Sequence, residues 1–173
     1  MPDALSTQDR LDIQQLIARY AWALDTGDVD AFVRCFTGDG ELRWDAFDTP
    51  LRWSGAGELR YFIEGLRSLP DSAGRQHHVS NLLVEPVGDG ARARAFVLVT
   101  LRRADGSLAA HVAGYYEDEL TVEAGEWRIR RRTIRDWAGP VLSRFEGQPR
   151  EAARRPMPAP LAALLPPRSD GST

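Results

Sequence analysis

Apolar side chains recur at helical spacing through the first third of the chain and predict three helices. The apolar face of the first helix consists of Ile13, Leu16, Ile17, Tyr20, Ala21 and Leu24. Ser6 and Asp9 form a weak capping pair before it, and Gly27 is typical of a helix end. Asp28 suits the N-terminus of a short second helix, and a third helix is predicted at residues 57–69.

Further along the chain, polar and apolar residues alternate with a period of two, which predicts strands. One short strand is expected at residues 41–47, after a turn at residues 38–40. Four longer strands, separated by hairpin turns that contain glycine, are predicted at residues 76–85, 91–103, 108–122 and 127–137. Three consecutive hairpins make a strongly bent antiparallel meander. Helices followed by strands indicate an α+β fold, with the N-terminal helices packed on one side of a mostly antiparallel sheet.

The chain of 173 residues has room for one domain with a single core. Six of its 11 prolines lie within the last 25 residues, where the regular hydrophobic pattern has stopped. We therefore expect a domain over residues 1–140 and a Pro-rich tail over residues 141–173 that is extended or partly disordered. Met157 and residues 161–165 are the apolar part of this tail that is able to dock on the domain.

The charge balance and the hydropathy of the chain exclude several classes of protein. With 22 basic and 25 acidic residues the net charge is -3, which argues against a general nucleic-acid-binding protein. No apolar run approaches the roughly 20 residues of a membrane span, and the first residues show no basic-then-apolar leader. We expect a cytoplasmic protein with no nucleic-acid or membrane partner.

The inventory of reactive side chains narrows the chemistry. Cys35 is the only cysteine, so neither an internal disulfide nor a cysteine-based zinc or iron–sulfur site is expected. The chain contains no lysine, which removes Schiff-base catalysis and covalent attachment of pyridoxal phosphate. The three histidines show no paired ligand spacing, so we expect no metal and no cofactor.

Four short motifs follow one another in an order that points to a family. They read IARYAWALDTGDVD at residues 17–30, RQHHVSN at 75–81, GYYED at 114–118 and GEWRI at 125–129. With the order of helices and strands, they resemble the NTF2-like superfamily, and within it the SnoaL-like branch that includes scytalone dehydratase, the hexachlorocyclohexane dehydrochlorinase and the bile-acid 7α-dehydratase. The resemblance implies a cone-shaped α+β barrel. It implies no single activity, because this cone hosts lyases, isomerases, cyclases and non-catalytic proteins.

The same resemblance implies a catalytic pair. In the dehydratases and the dehydrochlorinase, an aspartate at the end of the first helix pairs with a histidine on the strand after the third helix, and Asp25 and His77 match them. Asn81 completes the family's His-x-x-x-Asn pattern, whereas a register shift of one residue would exchange His77 and His78. Tyr20 matches a tyrosine of the bile-acid dehydratase and is expected to donate a hydrogen bond to the substrate.

Elementary electrostatics supports this pair without the family. Carbonyl dipoles at the C-terminal end of a helix disfavour a lone carboxylate and favour the pairing of Asp25 with a protonated histidine. Such a carboxylate orients the imidazole and stabilises it after it has taken a proton. The structural alternatives are a solvated Asp25, a His77 that belongs only to the barrel wall, and a Tyr20 that bonds to a core neighbour.

A second arrangement comes from ketosteroid isomerase, another member of this superfamily. Its oxyanion tyrosine also matches Tyr20. The position of its aspartate base falls on Trp44, with Asp45 beside it and facing the other way. Tyr20 with Asp45 is therefore the alternative site, which requires a one-residue bulge to bring Asp45 inward.

Further candidates for substrate contact are spread over the chain. They are Trp44, Phe62, Asn81, His111 and Arg135. The aromatic side chains are equally consistent with plain core packing. Arg135 is equally consistent with a run of solvated arginines that includes Arg132.

These residues together lead to an expectation about function. We expect a cofactor-independent lyase or isomerase, of dehydratase or cyclase type, that acts on a small, apolar, oxygenated ring compound of polyketide or aromatic metabolism. His77 is the expected base and Asp25 its orienting partner. The alternative is a non-catalytic binding or assembly module, like the β-subunit of a ring-hydroxylating dioxygenase. A curved sheet with an apolar convex face also predicts a homo-oligomer, a trimer or a dimer.

Overall fold

The computed structural model describes residues 4–69, 74–136 and 154–166, and these form helices on a curved sheet. The elements, in chain order, are α1 (Thr7–Thr26), α2 (Val29–Arg34), β1 (Phe36–Trp44), β2 (Leu51–Ser54), α3 (Gly55–Ser68), β3 (Gln76–Val87), β4 (Gly90–Arg102), β5 (Leu108–Glu123), β6 (Glu126–Asp136) and a 3₁₀ helix (Ala159–Leu164). The three predicted helices and the four long strands are all present. Trp137, expected to end the last strand, lies outside the described residues.

The first helix has both of the ends that the sequence predicts. Ser6 accepts a hydrogen bond from the backbone N–H of Asp9, and the Asp9 carboxylate accepts one from the backbone of Ser6, which makes a capping box. Gly27 ends α1 in the left-handed conformation, with φ of 68°, which favours glycine. Asp28 then caps α2 by accepting from the N–H of Ala31. This tight link turns the chain immediately after Asp25.

Within the described residues, the strands form one open six-stranded sheet in the order β2-β1-β6-β5-β4-β3. Neighbouring strands are antiparallel except β1 and β6, which run parallel. The helices cover its inner face, where the core lies. The expected α+β fold with a bent, mostly antiparallel sheet is therefore confirmed. No helix in this part of the chain is long and apolar enough to cross a membrane.

Two features before α3 differ from the sequence prediction. Residues 38–40 were expected to form a turn, but they lie inside β1. The register between β1 and β6 shifts between Phe36 and Glu41. Gly38 and Gly40 therefore bend a continuous strand and do not reverse the direction of the chain. The strand β2, which pairs with β1, was not predicted, because four residues are too few to show a period.

An irregularity in β6 decides which arginine enters the core. Glu119 of β5 pairs with Arg131, but the next residue, Leu120, pairs with Ile129, which leaves Arg130 as an extra residue. Such a bulge reverses the alternation of side chains beyond it. Arg132 consequently points inward and is fully buried. The expectation that Arg132 belongs to a solvated run is wrong.

The buried Arg132 is held by a carboxylate and two aromatic rings. Its guanidinium donates two hydrogen bonds to Asp118, of 2.8 and 2.6 Å. The same group lies 3.9 Å from the ring centre of Tyr20 and 4.2 Å from that of Tyr116. Burial alone opposes the charge, but the neighbouring Asp118 raises the pKa of Arg132, so it remains a cation. This ion pair is the polar centre of an otherwise apolar core.

The described part of the C-terminal tail packs on α3 and β2. Leu164 is fully buried, and its carbonyl accepts a hydrogen bond of 2.5 Å from the indole nitrogen of the buried Trp53. A side-chain carbon on Gly65 would approach Leu164 within 2.9 Å, so the glycine makes room for the tail. The backbone of Arg155 pairs with that of Phe47 in an isolated parallel β-bridge. Residues 154–166 therefore dock on the domain, as the apolar residues of the tail allowed; residues 141–153 and 167–173 lie outside the described residues.

We expect Leu164→Ala to lower the free energy of unfolding by about 2–5 kcal/mol, because it empties a filled core position. Urea unfolding followed by tryptophan fluorescence measures the change. The matched control is Leu108→Ala, at an exposed position, which should change the same free energy by no more than about 0.5 kcal/mol. Equal effects of the two substitutions would show that the tail does not contribute to the core.

Asp118→Asn should lower the free energy of unfolding by about 3–5 kcal/mol, because it leaves the buried cation of Arg132 without its counter-charge. The control is Glu119→Gln, which breaks a half-exposed pair with Arg131 and should cost at most about 1 kcal/mol. The double variant Asp118→Leu with Arg132→Met should recover most of the loss. A fully stable Asp118→Asn protein would contradict the proposed role of the pair.

Candidate functional site

Asp25 and His77 meet where the end of α1 lies against the start of β3. The Nδ1 atom of His77 lies 2.6 Å from Oδ1 of Asp25. The backbone N–H of His77 donates to the other carboxylate oxygen, Oδ2, at 2.9 Å. Both side chains are largely buried, at 8% exposure for His77 and 18% for Asp25. One residue of β3 thus satisfies both oxygens of the carboxylate.

The geometry of Asp25 fixes the protonation pattern of the neutral imidazole. A carboxylate is an acceptor, so the proton of the neutral ring lies on Nδ1. The other ring nitrogen, Nε2, then carries a lone pair and is able to take a proton. This is the arrangement that a general base requires.

The alternation along β3 decides between the two adjacent histidines. His77 faces the helices, whereas His78 is on the exposed face and lies 3.2 Å from the hydroxyl of Thr100. Asn81 has φ of 54° and sits where two residues of β3, Asn81 and Leu82, lie opposite one residue of β4, so that β3 carries one extra residue. The bulge keeps Leu82 and later alternate residues on the inner face.

His77 also lines a small cavity inside the cone, which we call the inner cavity. Its volume is about 40 Å³. Its wall consists of Tyr20, Leu24, Trp44, Phe62, Leu66, Arg75, His77, Val97, Val99, Val112, Tyr116 and Ile134. A cavity of this volume holds water or a few atoms, since about 150 Å³ is needed for benzene.

Two buried donors on the wall of the inner cavity have no hydrogen-bond partner within the described residues: the Tyr20 hydroxyl and the Trp44 Nε1. Burial raises the pKa of Tyr20 to about 12, although the charge of Arg132 offsets part of the effect. Tyr20 therefore stays protonated at neutral pH and acts as a donor. Burial likewise raises the pKa of Tyr116 well above its usual value.

A second, larger space lies between α1 and β3, and we call it the outer groove. Its volume is about 1050 Å³, and it is open to solvent. Asp25, His77 and Asn81 lie along it, together with Trp22, whose side chain is 71% exposed. His77 and Arg75 contribute to both the outer groove and the inner cavity. The pair formed by Asp25 and His77 therefore stands at the boundary between a ligand-sized groove and a closed interior.

The structure brings only some of the sequence candidates together. Tyr20, Trp44 and Phe62 join His77 at the inner cavity, and Asn81 lies in the outer groove. His111 does not reach either space: Val99 pairs with Val112 and Thr100 with Ala110, so His111 is the extra residue of a bulge and is exposed.

Arg135 and Asp45 are also placed outside the interior. Arg135 donates to Glu117 at 2.7 Å and to Asp45 at 2.5 Å on the outer face of the sheet. Asp45 accepts a further hydrogen bond from Arg154. The expectation that Arg135 contacts substrate in the cone is not met, and the alternative site of Tyr20 with Asp45 is not assembled.

Sequence reasoning missed the residues that surround Tyr20, which are Arg132, Asp118 and Tyr116. A signal for them exists, because Asp118 lies directly opposite Arg132 in the register of β5 and β6. Reading it requires the position of the bulge at Arg130, which no local pattern reveals. In the described part of the chain, no group of three or more His, Cys, Asp or Glu side chains is arranged to hold a metal ion.

Comparison with solved structures places this architecture among known ones. Rv3472 of Mycobacterium tuberculosis, a protein of unknown function, is 27% identical, with a TM-score of 0.70 over 92% of this chain and 93% of that one. An NTF2-like protein with a cystatin-like fold from Novosphingobium aromaticivorans is 26% identical, with a TM-score of 0.69 over 79% of this chain and 87% of that one.

A third similar structure is the β subunit of a candidate aromatic-ring-hydroxylating dioxygenase, also from Novosphingobium aromaticivorans. It is 23% identical, with a TM-score of 0.62 over 72% of this chain and 86% of that one, which shows a shared fold. None of the curated proteins matches this chain. A family model described as the SnoaL-like domain matches residues 6–133. This match covers the helices, the sheet and both members of the Asp25–His77 pair, and the chain belongs to the SnoaL-like domain family.

Proposed function

We propose that this protein is a lyase or isomerase that needs no cofactor and acts on a small, apolar, oxygenated ring compound. The observation that carries the proposal is the pairing of His77 with Asp25 at the boundary of the inner cavity and the outer groove. A buried carboxylate that fixes the tautomer of an adjacent imidazole is the usual device for making a histidine a base.

The chemistry is a proton transfer followed by elimination or rearrangement. Nε2 of His77 takes a proton from a carbon next to a carbonyl, and the electron pair of that C–H bond moves toward the carbonyl oxygen. In a dehydration, the electrons return to expel a hydroxyl group from the neighbouring carbon, and the imidazolium gives its proton to that group as water leaves. Asp25 stabilises the imidazolium between the two steps.

Tyr20 is the donor that this chemistry requires at the carbonyl oxygen. Its hydroxyl is buried and protonated, and the hydroxyl hydrogen has no acceptor within the described residues, because the guanidinium of the neighbouring Arg132 only donates. A donor fixed in an apolar environment stabilises the charge that develops on oxygen as the proton leaves carbon. The cation of Arg132 over the Tyr20 ring adds to this effect without contacting the substrate.

The two spaces suggest how the substrate is held. The inner cavity of about 40 Å³ is too small for a ring, while the outer groove of about 1050 Å³ falls at the upper end of the range for ligand sites. The ring system therefore lies in the outer groove, and its oxygen passes between Arg75 and His77 toward Tyr20. Trp22 offers an exposed aromatic face in that groove.

We also propose that the protein is a homo-oligomer, a dimer or a trimer. The outer face of β3 and β4 exposes three large apolar side chains, Leu83, Phe96 and Leu98. An exposed apolar area on one sheet face is typical of an interface. A second copy of this chain supplies a matching apolar face.

Asp25→Asn and His77→Gln should each lower kcat by about a hundred- to ten-thousand-fold on the identified substrate, because each removes the general base or its orientation. The double variant should be little worse than either one, since the two residues act as a unit. Steady-state kinetics and thermal melting measure these effects together.

The matched control for the pair is His78→Gln, which changes the adjacent histidine on the exposed face. It should leave kcat close to the wild-type value. If Asp25→Asn and His77→Gln both keep near-normal turnover, the pair is structural and the proposed reaction is wrong.

Light scattering should give a mass of at least twice 19.3 kDa at micromolar concentration. Phe96→Glu should reduce that mass to the monomer value, because it places a charge in the apolar contact. The control is Val122→Glu, an equally drastic change at an exposed position of β5 beside the β5–β6 turn, which should leave the mass unchanged. A wild-type mass near 19 kDa would refute the self-association.

A further inference from the structure

The indole N–H of Trp44 is a buried donor that the proposed reaction does not yet use. Trp44 lies at the end of β1 and lines the inner cavity together with Tyr20 and His77, and its Nε1 atom is buried. Within the described residues this nitrogen has no hydrogen-bond partner. An indole nitrogen is a donor only, so it is satisfied by an acceptor atom and nothing else.

Unpaired buried donors are rare in folded proteins, and two on one small cavity call for a common explanation. The ring of Trp44 packs against Phe47 with centres 5.2 Å apart, which holds the indole in place. The ring of Tyr20 is held by Arg132, Phe32 and Tyr116. Because both rings are fixed by packing, both donors are presented to the cavity before any ligand arrives.

We propose that Trp44 is a second hydrogen-bond donor to the substrate, and that with Tyr20 it makes the inner cavity a receptor for the oxygen of one neutral carbonyl group. This rests on the proposed function in one respect, namely that the body of the substrate lies in the outer groove. The reacting carbonyl oxygen then accepts from both donors while His77 works on the adjacent carbon.

The charges around the cavity favour a neutral carbonyl over a carboxylate. The cation of Arg132 is already compensated by Asp118, and the carboxylate of Asp25 is occupied by His77. Most of the remaining wall is apolar, including Leu24, Val97, Val99 and Val112. Arg75 also belongs to the wall, on the side shared with the outer groove, and a permanently ionised group that passed deeper than Arg75 would lose its hydration without gaining a counter-charge. Two neutral donors suit an oxygen that is neutral at first and becomes negative only in the transition state.

The volume of the cavity limits the group that it accepts. About 40 Å³ admits a carbonyl oxygen with its carbon, but not an aromatic ring. Trp44 and Tyr20 therefore select the functional group of the substrate, and the outer groove selects its skeleton. Trp44 is in this sense a specificity-determining residue, separate from the proton-transfer pair.

The test uses the full chain and two probes of the same shape, methyl naphthyl ketone and the alkene in which CH₂ replaces the carbonyl oxygen. Titration calorimetry should give about tenfold tighter binding of the ketone to the wild-type protein, the factor expected for a neutral hydrogen bond. Trp44→Phe and Tyr20→Phe should each remove most of this preference. Tyr20→Phe keeps the ring and deletes only the hydroxyl. Trp44→Phe keeps an aromatic side chain but removes part of the indole together with its N–H, so the ratio of the two affinities, and not either affinity alone, is the readout.

The matched control is Trp22→Phe, the same substitution in the outer groove. It should weaken the binding of the ketone and of the alkene by the same factor and leave the ratio of the two affinities unchanged. A second measurement needs no variant to fold: in ¹⁵N-labelled wild-type protein, the ketone should shift the indole resonance of Trp44 and the alkene should not. Through-bond and through-space correlations in the wild-type protein assign that resonance.

Equal affinity of the wild-type protein for the two probes, an unchanged ratio in Trp44→Phe, or no binding of either probe would each overturn the proposal. The first of these outcomes would mean that the two donors bind water only. His77→Gln separates this test from that of the reaction, because it should keep the preference for the ketone while abolishing turnover. If the preference for the ketone is missing while His77→Gln still abolishes turnover, the role of Trp44 is wrong. If the preference is present while His77→Gln keeps its turnover, the proposed reaction is wrong.

Discussion

The ion pair of Arg132 and Asp118 is the constraint on which the interior of this protein depends. The charge of a guanidinium cannot be taken out of water without compensation, and here a carboxylate and two aromatic faces supply it. Its Nε and Nη2 atoms donate to Asp118, whereas Nη1 has no hydrogen-bond partner within the described residues. The same requirement holds Tyr20 of α1 and Tyr116 of β5 against the guanidinium of Arg132. Tyr20 is thereby held with its hydroxyl on the inner cavity, which no flexible core tyrosine would guarantee.

The contact between α1 and β3 adds a second constraint at the rim of the cone. Gly27 ends the helix directly after Asp25, so the carboxylate projects from the last turn toward the first residues of β3. The backbone N–H of His77 holds one oxygen and its ring holds the other, so position and tautomer are set by the same residue. The inner cavity is therefore enclosed by a rigid frame. This frame consists of the end of α1, the start of β3 and the ion pair of Arg132 with Asp118.

Many of the elements that hold the site were predictable from local sequence. The others were not predictable, and the reason is physical. Capping at Ser6 and Asp28, the helix end at Gly27 and the pairing of Asp25 with a histidine depend on neighbours in sequence or on the family resemblance. The inward turn of Arg132 and the outward position of His111 depend on one-residue bulges in β6 and β5.

A bulge changes the face of every later residue in its strand, yet it is set by pairing with another strand. Strict alternation from Ile129 would place Arg131 inside and Arg132 outside, the reverse of what is observed. Arg135 was a candidate for substrate contact through the family resemblance, and it lies on the outer face instead. The strand β2 was missed because it is stable only through its pairing with β1.

The unpaired donors of the inner cavity have a consequence for the thermodynamics of the whole fold. A buried donor without an acceptor costs about 1–3 kcal/mol, so a ligand that offers Tyr20 and Trp44 an acceptor gains from both contacts. Any compound that supplies the missing acceptor recovers this energy and raises the melting temperature by mass action. At a hundred times its dissociation constant, such a compound adds about 2.7 kcal/mol, and for a chain of this length each kcal/mol is worth about 2–4 °C. A compound library screened by melting temperature therefore reports ligands of the native protein before any reaction has been assigned, and pairs of compounds that differ only in a carbonyl oxygen show whether the two donors contribute to the shift.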